Sequence, residues 1–200
     1  MISLAQEPLR LHEGPSGVLS FGTHGSVQRL EHDSLRSFAQ GTGAQIRFML
    51  SKRMTIEPFF SFEHGSYSDS VAEKHVPIGV NLLIYPVRAL HRIQPILQAG
   101  AGAYYDRMNE KLDKKNYSDR VVPVLSAGAG LQVNFTPRFS LWLRGEYMMK
   151  YGNGISPVPV IISEGPMVHD GIRFVNATEA TWERGQRVSA GINYQIKDLW

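Results

Sequence analysis

Apolar and polar residues alternate along most of this chain with a period of two. The alternation is clearest near the C-terminus, where Val188, Ala190, Ile192, Tyr194 and Ile196 are separated by polar or small residues. Successive side chains of a β-strand point to opposite faces, so this pattern predicts a strand with one apolar and one polar face.

Eight segments share this alternation, and the connections between them differ in length. The predicted strands cover residues 18–28, 41–51, 54–64, 75–85, 92–106, 121–135, 139–150 and 188–197. Short connections fall at residues 51–53, 86–91 and 136–138, and long polar ones at 29–40, 65–74, 107–120 and 152–186. An even number of strands with short turns at one end and long loops at the other is typical of bacterial outer-membrane barrels. We therefore predict an all-β fold, an eight-stranded antiparallel up-and-down transmembrane β-barrel with short periplasmic turns and long extracellular loops.

Charge placement distinguishes a membrane barrel from a soluble one. The apolar face of the first six predicted strands carries no Asp, Glu, Lys or Arg, whereas the opposite face carries several. An Arg or Lys that faces lipid at the bilayer midplane costs about 2–4 kcal/mol, so the apolar face is the one expected to contact hydrocarbon. Eight strands enclose an interior just wide enough to be filled by side chains. We predict an interior ion network formed by Arg47, Glu57, Glu63, Arg144 and Glu146, with an open pore as the alternative.

Composition narrows the possible functions further. The 200 residues are 42% hydrophobic and 20% charged, with a net charge of +3 and no cysteine. One folded domain is expected, and disulfides, thiolate zinc sites and cysteine nucleophiles are excluded. Because the charges are not clustered and most histidines have no metal-ligand spacing, we expect no nucleic-acid partner, no metal and no cofactor.

The N-terminal residues differ from the rest of the chain. The segment Ser3-Leu4-Ala5 before Gln6 fits the small-residue pattern of a secretory cleavage site. We therefore divide the chain into an N-terminal lead-in over residues 1–16, a possible signal-peptide remnant, and a barrel over residues 17–200.

Three segments resemble the small outer-membrane barrel family of the outer membrane protein A and X type. They are the runs at residues 93–104, 136–147 and 187–194, together with the terminal aromatic Trp200, which is similar to the family's signal for barrel assembly. The resemblance extends from about Val18 to Trp200 and implies a location in the bacterial outer membrane. It defines architecture more than function, because the family includes anchors, adhesins, small pores, enzymes and secretion accessory proteins.

Residues 155–182 are apolar for a predicted exposed loop. Exposed apolar surface generally marks a contact site, so this segment either folds over the barrel mouth as a lid or, as we prefer, docks a partner. We take Ile155, Val158, Ile161, Phe174 and Trp182 as candidate contact residues. Our preferred hypothesis is a non-enzymatic anchor or accessory subunit of a cell-envelope or secretion complex. A small diffusion pore is an alternative.

Another alternative is an enzyme. His64 and Ser66, with Glu73 nearby in sequence, provide a base, a nucleophile and an orienting carboxylate. Their spacing is similar to the His-x-Ser of lipid A 3-O-deacylases, although Tyr67-Ser68 replaces the Asn-Ala pair that follows the serine in that family. We expect outer-membrane lipid and lipopolysaccharide as partners, and the predicted loop with Lys111, Lys114, Lys115 and Arg120 as a candidate phosphate contact.

Overall fold

The computed structural model describes residues 17–32, 35–66, 68, 70–87, 92–111, 116–136, 138–164 and 167–198. These residues form eight β-strands. The strands are β1 (Val18–His32), β2 (Leu35–Ser51), β3 (Met54–Ser66), β4 (Val71–Ile84), β5 (Ile93–Glu110), β6 (Tyr117–Asn134), β7 (Phe139–Glu164) and β8 (Met167–Asp198). Among the described residues, no helix is long and apolar enough to cross a membrane. The predicted lead-in over residues 1–16 and the terminal Trp200 lie outside the described part of the chain.

The strands form a closed barrel in sequence order. Each strand pairs antiparallel with the next one, and β1 also pairs with β8 to close the sheet. Closure leaves no exposed strand edge around the wall, which is the condition for a β-structure to sit in lipid. The prediction of an all-β, eight-stranded, up-and-down antiparallel barrel is confirmed.

The strand boundaries differ from those predicted, mainly at one rim. β1 continues to His32, β2 begins at Leu35, and residues 152–186 belong almost entirely to β7 and β8. The prediction that residues 152–186 form a loop is therefore wrong. Alternation arises where the two faces of a strand meet different environments, so a paired strand that continues into water on both faces carries no such signal.

The barrel wall has inverted polarity, apolar outside and polar inside. Large apolar side chains are exposed on the outer wall, for example Ile78 at 61% and Val121 at 68%. On β4 the outward residues are apolar from Val76 to Ile84, which matches the roughly nine to eleven residues that a tilted strand needs to cross a bilayer. The aromatic side chain of Phe135 is exposed just after the end of β6, as expected for a membrane-interface position, whereas Tyr151 is exposed in the middle of β7.

Two small apolar clusters lie inside the barrel. One contains Leu83, Tyr85, Ile96 and Trp142, near the rim with short turns. The other contains Tyr104, Val122, Val124 and Met148, nearer the opposite rim. The alternation places Tyr85 at the end of an apolar segment, which predicts an interfacial position, but this side chain is buried in the first cluster. Between and around these clusters, most of the described interior side chains are polar or charged.

Candidate functional site

Glu57 on β3 is the centre of the first interior ion cluster. Its carboxylate accepts hydrogen bonds from Arg47 Nε at 2.5 Å and from Arg144 Nη1 at 2.7 Å. Asn81 Nδ2 donates a third bond at 3.1 Å. The Arg144 guanidinium also lies 3.8 Å from the centre of the Trp142 ring. The Glu57 side chain is fully buried, and these contacts compensate for the loss of water around its charge.

Arg187 on β8 is the centre of a second cluster, one layer further along the barrel. Its guanidinium donates to Glu146 Oε2 at 2.8 Å and to the Tyr104 hydroxyl at 3.1 Å. Its Nη1 also lies 3.6 Å from Glu63 Oε1, and Ser26 donates to that same oxygen. The two carboxylates are thus held by one arginine and by neighbouring hydroxyl groups.

Asp106 on β5 is the centre of a third cluster. This cluster lies near the rim where the chain turns from β7 into β8. Lys150 Nζ lies 3.2 Å from both of its carboxylate oxygens, and His75 Nδ1 lies 2.7 Å from Oδ1. Arg120 lies 3.4 Å from Asp106 and 2.7 Å from Glu183. All of these groups come from different strands, so the cluster ties several parts of the wall together.

These clusters join strands on opposite sides of the barrel. Glu57 and Arg144 belong to β3 and β7, which are separated by four positions in an eight-strand order, and the 2.7 Å contact between them crosses the lumen. The contact between Arg187 and Glu63 connects β8 with β3 in the layer above. Small interior residues make room for these side chains, since a Cβ at Gly43 would collide with the His24 ring and with the backbone of β3. Paired side chains therefore cross the described interior in successive layers.

All five residues predicted for the interior network lie inside the barrel. They fall into two groups, Arg47–Glu57–Arg144 and Arg187–Glu146–Glu63, and the second of these is completed by a residue that the prediction left out. The cluster around Asp106 was also missed, along with its partners Lys150, His75, Arg120 and Glu183. Alternation does place Asp106, Lys150 and Arg187 on the polar face. Their pairing could not be found from sequence because it depends on which strands face each other.

The three residues of the alternative hydrolase site do not come together. His64 and Ser66 are exposed on the outer face of β3. Glu73 is buried and points into the barrel, where it lies 3.4 Å from His75. The residue directly opposite His64 on β4 is Lys74, so the neighbouring outward position holds a cation rather than a carboxylate.

The candidate contact residues of the predicted loop have different environments. Ile155 is buried, Phe174 is half-buried, and Val158 is exposed. Trp182 is exposed on the outer wall of the barrel, where its ring centre lies 4.9 Å from that of Tyr151. Ile161 is part of β7, but its side chain lies outside the described part of the structure.

The candidate phosphate-binding loop is also only partly described. Lys111 is exposed, and its ammonium donates to the Ser68 carbonyl at 3.1 Å. Arg120 points inward to Asp106 and Glu183, so its guanidinium already has carboxylate partners. Lys114 and Lys115 lie outside the described residues.

Comparison with known proteins identifies the fold. No family model matches the sequence, and no curated protein sequence matches it. Neisserial surface protein A is similar in structure, with a TM-score of 0.61 at 16% identity over 92% of this chain and 100% of that one. The attachment invasion locus protein Ail of Yersinia pestis gives a TM-score of 0.55 at 14% identity, over 90% and 99% of the two chains. The outer membrane protein OprG of Pseudomonas aeruginosa gives 0.51 at 13% identity, over 91% and 97%.

These similarities concern the fold, since every identity is far below the level at which function can be inferred. They cover nearly the whole of each barrel, and OprG is described as an outer membrane protein. Together with the inverted polarity of the wall, they confirm the prediction of a small bacterial outer-membrane β-barrel.

Proposed function

We propose that this chain is a non-enzymatic outer-membrane barrel that anchors or assists a cell-envelope or secretion complex. Its contact element would be the outer part of the β7–β8 hairpin, residues 155–176, here called the outer hairpin. The proposal rests on one structural observation. A barrel whose interior is crossed by ion pairs has a hairpin that extends past its other strands. The ion pairs of the described interior oppose transport through it, and closure of the barrel wall does not require the outer hairpin.

The filled interior favours an anchor over a pore. Glu57, with its bonds to Arg47 and Arg144, lies across the lumen in one layer, and Arg187 with Glu146 and Glu63 lies in another. Breaking such a buried pair leaves an unpaired charge, which costs about 3–5 kcal/mol. A passage through both layers would require several pairs to separate at the same time.

The outer hairpin continues beyond the ladders that join β7 and β8 to the rest of the barrel. The β6–β7 ladder ends at the pair Val124–Lys150, and the β1–β8 ladder ends at Glu31–Arg184. The β7–β8 ladder continues to the pair Glu164–Met167. Barrels of this kind have short turns on the periplasmic side, so the outer hairpin belongs to the cell-surface side.

Two contacts hold the base of the outer hairpin in place. Arg120 donates to the Asn153 carbonyl, and Asn116 Nδ2 donates to the Ile172 carbonyl at 2.5 Å. Between these two contacts along the hairpin, Val158 and Val175 are 40% and 45% exposed. Exposed apolar side chains on a supported hairpin suit a contact surface, because little ordering is needed when a partner binds.

The prolines of the outer hairpin indicate how a partner would bind. Pro157 and Pro159 lie on β7 opposite Phe174 and Ile172, and neither has an N–H to donate. A strand added along the β7 edge would find no donor at these two positions. We therefore expect recognition through side chains such as Val158 rather than through strand addition at this edge.

The test is a shortened variant in which an Asn-Gly turn replaces residues 156–175 between Ile155 and Asn176. A two-residue turn of this type closes an antiparallel hairpin without strain. We expect the variant to keep the heat-dependent electrophoretic shift of a folded barrel and to lose the envelope proteins that can be crosslinked to the full chain in cells.

The matched control carries Thr136→Asp and Arg138→Asp, two exposed positions in a turn at the opposite rim. It should fold and keep the same crosslinked proteins as the full chain. If the shortened variant folds and its crosslinked proteins are unchanged, the outer hairpin is not the contact element and the proposal fails.

A further inference from the structure

A row of polar residues crosses the outer wall, next to the apolar band. The strand registers align Gln40 on β2, His64 on β3, Lys74 on β4, Arg107 on β5 and Asp119 on β6. All five side chains have outward positions in the alternation of exposure. The row therefore lies on the outer wall and borders the apolar outward residues of these strands.

Lys74 and Arg107 form a cationic pair within this row. They are direct cross-strand partners, and like charges in that arrangement repel each other. Lys74 makes no ion pair with any described residue. Arg107 lies 3.7 Å from Asp119, which is on the side away from Lys74. That carboxylate also accepts a hydrogen bond from the Tyr105 hydroxyl at 2.8 Å.

The geometry fixes Arg107 in an outward position. Its guanidinium carbon lies 4.3 Å from the centre of the Tyr117 ring and 5.9 Å from that of Tyr105. These aromatic contacts and Asp119 limit its motion, while the side facing Lys74 holds no described carboxylate. An anion placed between Lys74 and Arg107 would remove their mutual repulsion and accept hydrogen bonds from both.

An apolar groove lies below the cationic pair, on β4 and β5 and on the neighbouring strands β1, β2 and β3. It has a volume of about 610 Å³, within the usual range for ligand sites. Its apolar lining includes Phe21, Ile46, Phe60, Ile78, Val80 and Ala103. The short side chains of Ala44 and Ala103 leave space between the larger ones.

Pro58 explains why the wall is open at this point. The β2–β3 register runs to the pair Gln45–Phe59 and resumes at Phe48–Ile56, so the ladder is interrupted around Pro58. Proline has no N–H for the ladder. Pro58 itself lines the groove, which identifies the interruption as part of its floor.

The distance between groove and cationic pair matches one lipid leaflet. Ile78 and Ala103 lie four residues from Lys74 and Arg107 on their strands, which is about 13 Å along the chain and less along the membrane normal because strands tilt. Half of the hydrocarbon core is about 15 Å thick. The groove is therefore at the depth of the acyl chains whose headgroups would lie at the cationic pair.

We propose that the outer wall over β2–β5 is a binding site for one phosphorylated acyl lipid of the outer leaflet. A phosphate of the headgroup lies between Lys74 and Arg107, and one acyl chain occupies the groove below. Charge complementarity selects the phosphate, and the apolar groove selects the chain. This site is independent of the outer hairpin and of any partner that the hairpin binds.

The experiment measures lipid binding to the folded barrel in neutral detergent by native mass spectrometry. The probes are bis-phosphorylated lipid A, the same lipid without its phosphates, and inorganic phosphate. The headgroup variant is Lys74→Gln with Arg107→Gln, and its control is Lys52→Gln with Arg53→Gln, two exposed cations at the opposite rim. The groove variant is Ala103→Leu, with Ala99→Leu as a control on the same strand, outside the groove.

We expect the full chain to bind one phosphorylated lipid A, and the headgroup variant to bind it about tenfold less tightly, since two basic groups near an anionic headgroup are lost. The groove variant should also bind it less tightly, whereas both controls should behave as the full chain does. The heat-dependent electrophoretic shift checks folding of every variant, and Lys74→Gln alone replaces the double variant if that one does not fold.

Three results would overturn the proposal. Equal binding of phosphorylated and dephosphorylated lipid would show that the cationic pair does not bind the phosphate of the headgroup. Full displacement of the lipid by millimolar inorganic phosphate, with no effect of Ala103→Leu, would show a simple phosphate site without a chain. Unchanged binding in the folded headgroup variant would place the lipid elsewhere on the barrel.

Discussion

Single charged residues inside this barrel are stable because each has partners fixed by the wall. Glu57 accepts bonds from two arginines and one asparagine, so no part of its charge is left without a donor. His24 contacts Gln45 on one ring nitrogen and Ser61 on the other, at 2.7 and 2.8 Å. Burial of these groups costs desolvation free energy that their partners offset, and removal of a partner leaves that cost uncompensated.

Replacement of Glu57 by Gln should destabilise the barrel by about 3–5 kcal/mol, because Arg47 and Arg144 are then buried without their shared carboxylate. The free energy of unfolding is measured by urea titration of the protein in lipid vesicles. Glu179→Gln is the control, since Glu179 is exposed and should change stability by less than about 0.5 kcal/mol. A loss below about 1 kcal/mol for Glu57→Gln would contradict the assigned role.

At the scale of the strand, successive residues alternate between an apolar side chain on the outer wall and a polar or charged side chain in the interior. Along β7, Leu141, Leu143 and Tyr147 are exposed, while Arg144 and Glu146 between them are buried. A one-residue slip of this strand would place the charged set in lipid and the apolar set in the ion network. The register is therefore strongly specified by the membrane as well as by hydrogen bonds.

Leu143→Arg should lower the free energy of unfolding in vesicles by about 2–4 kcal/mol, because Leu143 lies near the middle of the lipid-facing stretch of β7. Val175→Arg is the matched control, an exposed apolar position on the outer hairpin where water can solvate the charge. The control should change stability by less than about 0.5 kcal/mol. Similar losses at both sites would mean that Leu143 does not face hydrocarbon.

At the scale of the whole molecule, the closed sheet brings charged side chains together across the lumen, and their contacts in turn hold the sheet closed. Eight strands in a ring bring β3 opposite β7, which allows the Glu57–Arg144 contact to cross the interior. The same contacts tie distant parts of the wall together and oppose its opening. The barrel wall is thus braced across its interior, and β7 and β8 extend one hairpin beyond the other strands.

The full chain should give no steady stepwise conductance in planar bilayers, since paired side chains cross the lumen in two layers. A variant with Arg144→Ala and Arg187→Ala removes one cation from each layer and should give measurable conductance steps if it folds. Protease protection of the inserted protein confirms that the silent bilayers contain folded barrels. Stable conductance of the unmodified chain would support the pore alternative instead.

The number of strands and the orientation of their two faces were determined by the sequence, because contact with lipid on one side and a polar interior on the other imposes a period of two. Residues 152–160 and 171–186 were predicted as a loop although they form paired strands. A strand with water on both faces needs no apolar face, so its sequence resembles that of a loop. Which charges meet was decided only by the tertiary structure. Strand register and ring closure set the distances between Glu57 and Arg144 and between Lys74 and Arg107, residues that the chain separates by many positions.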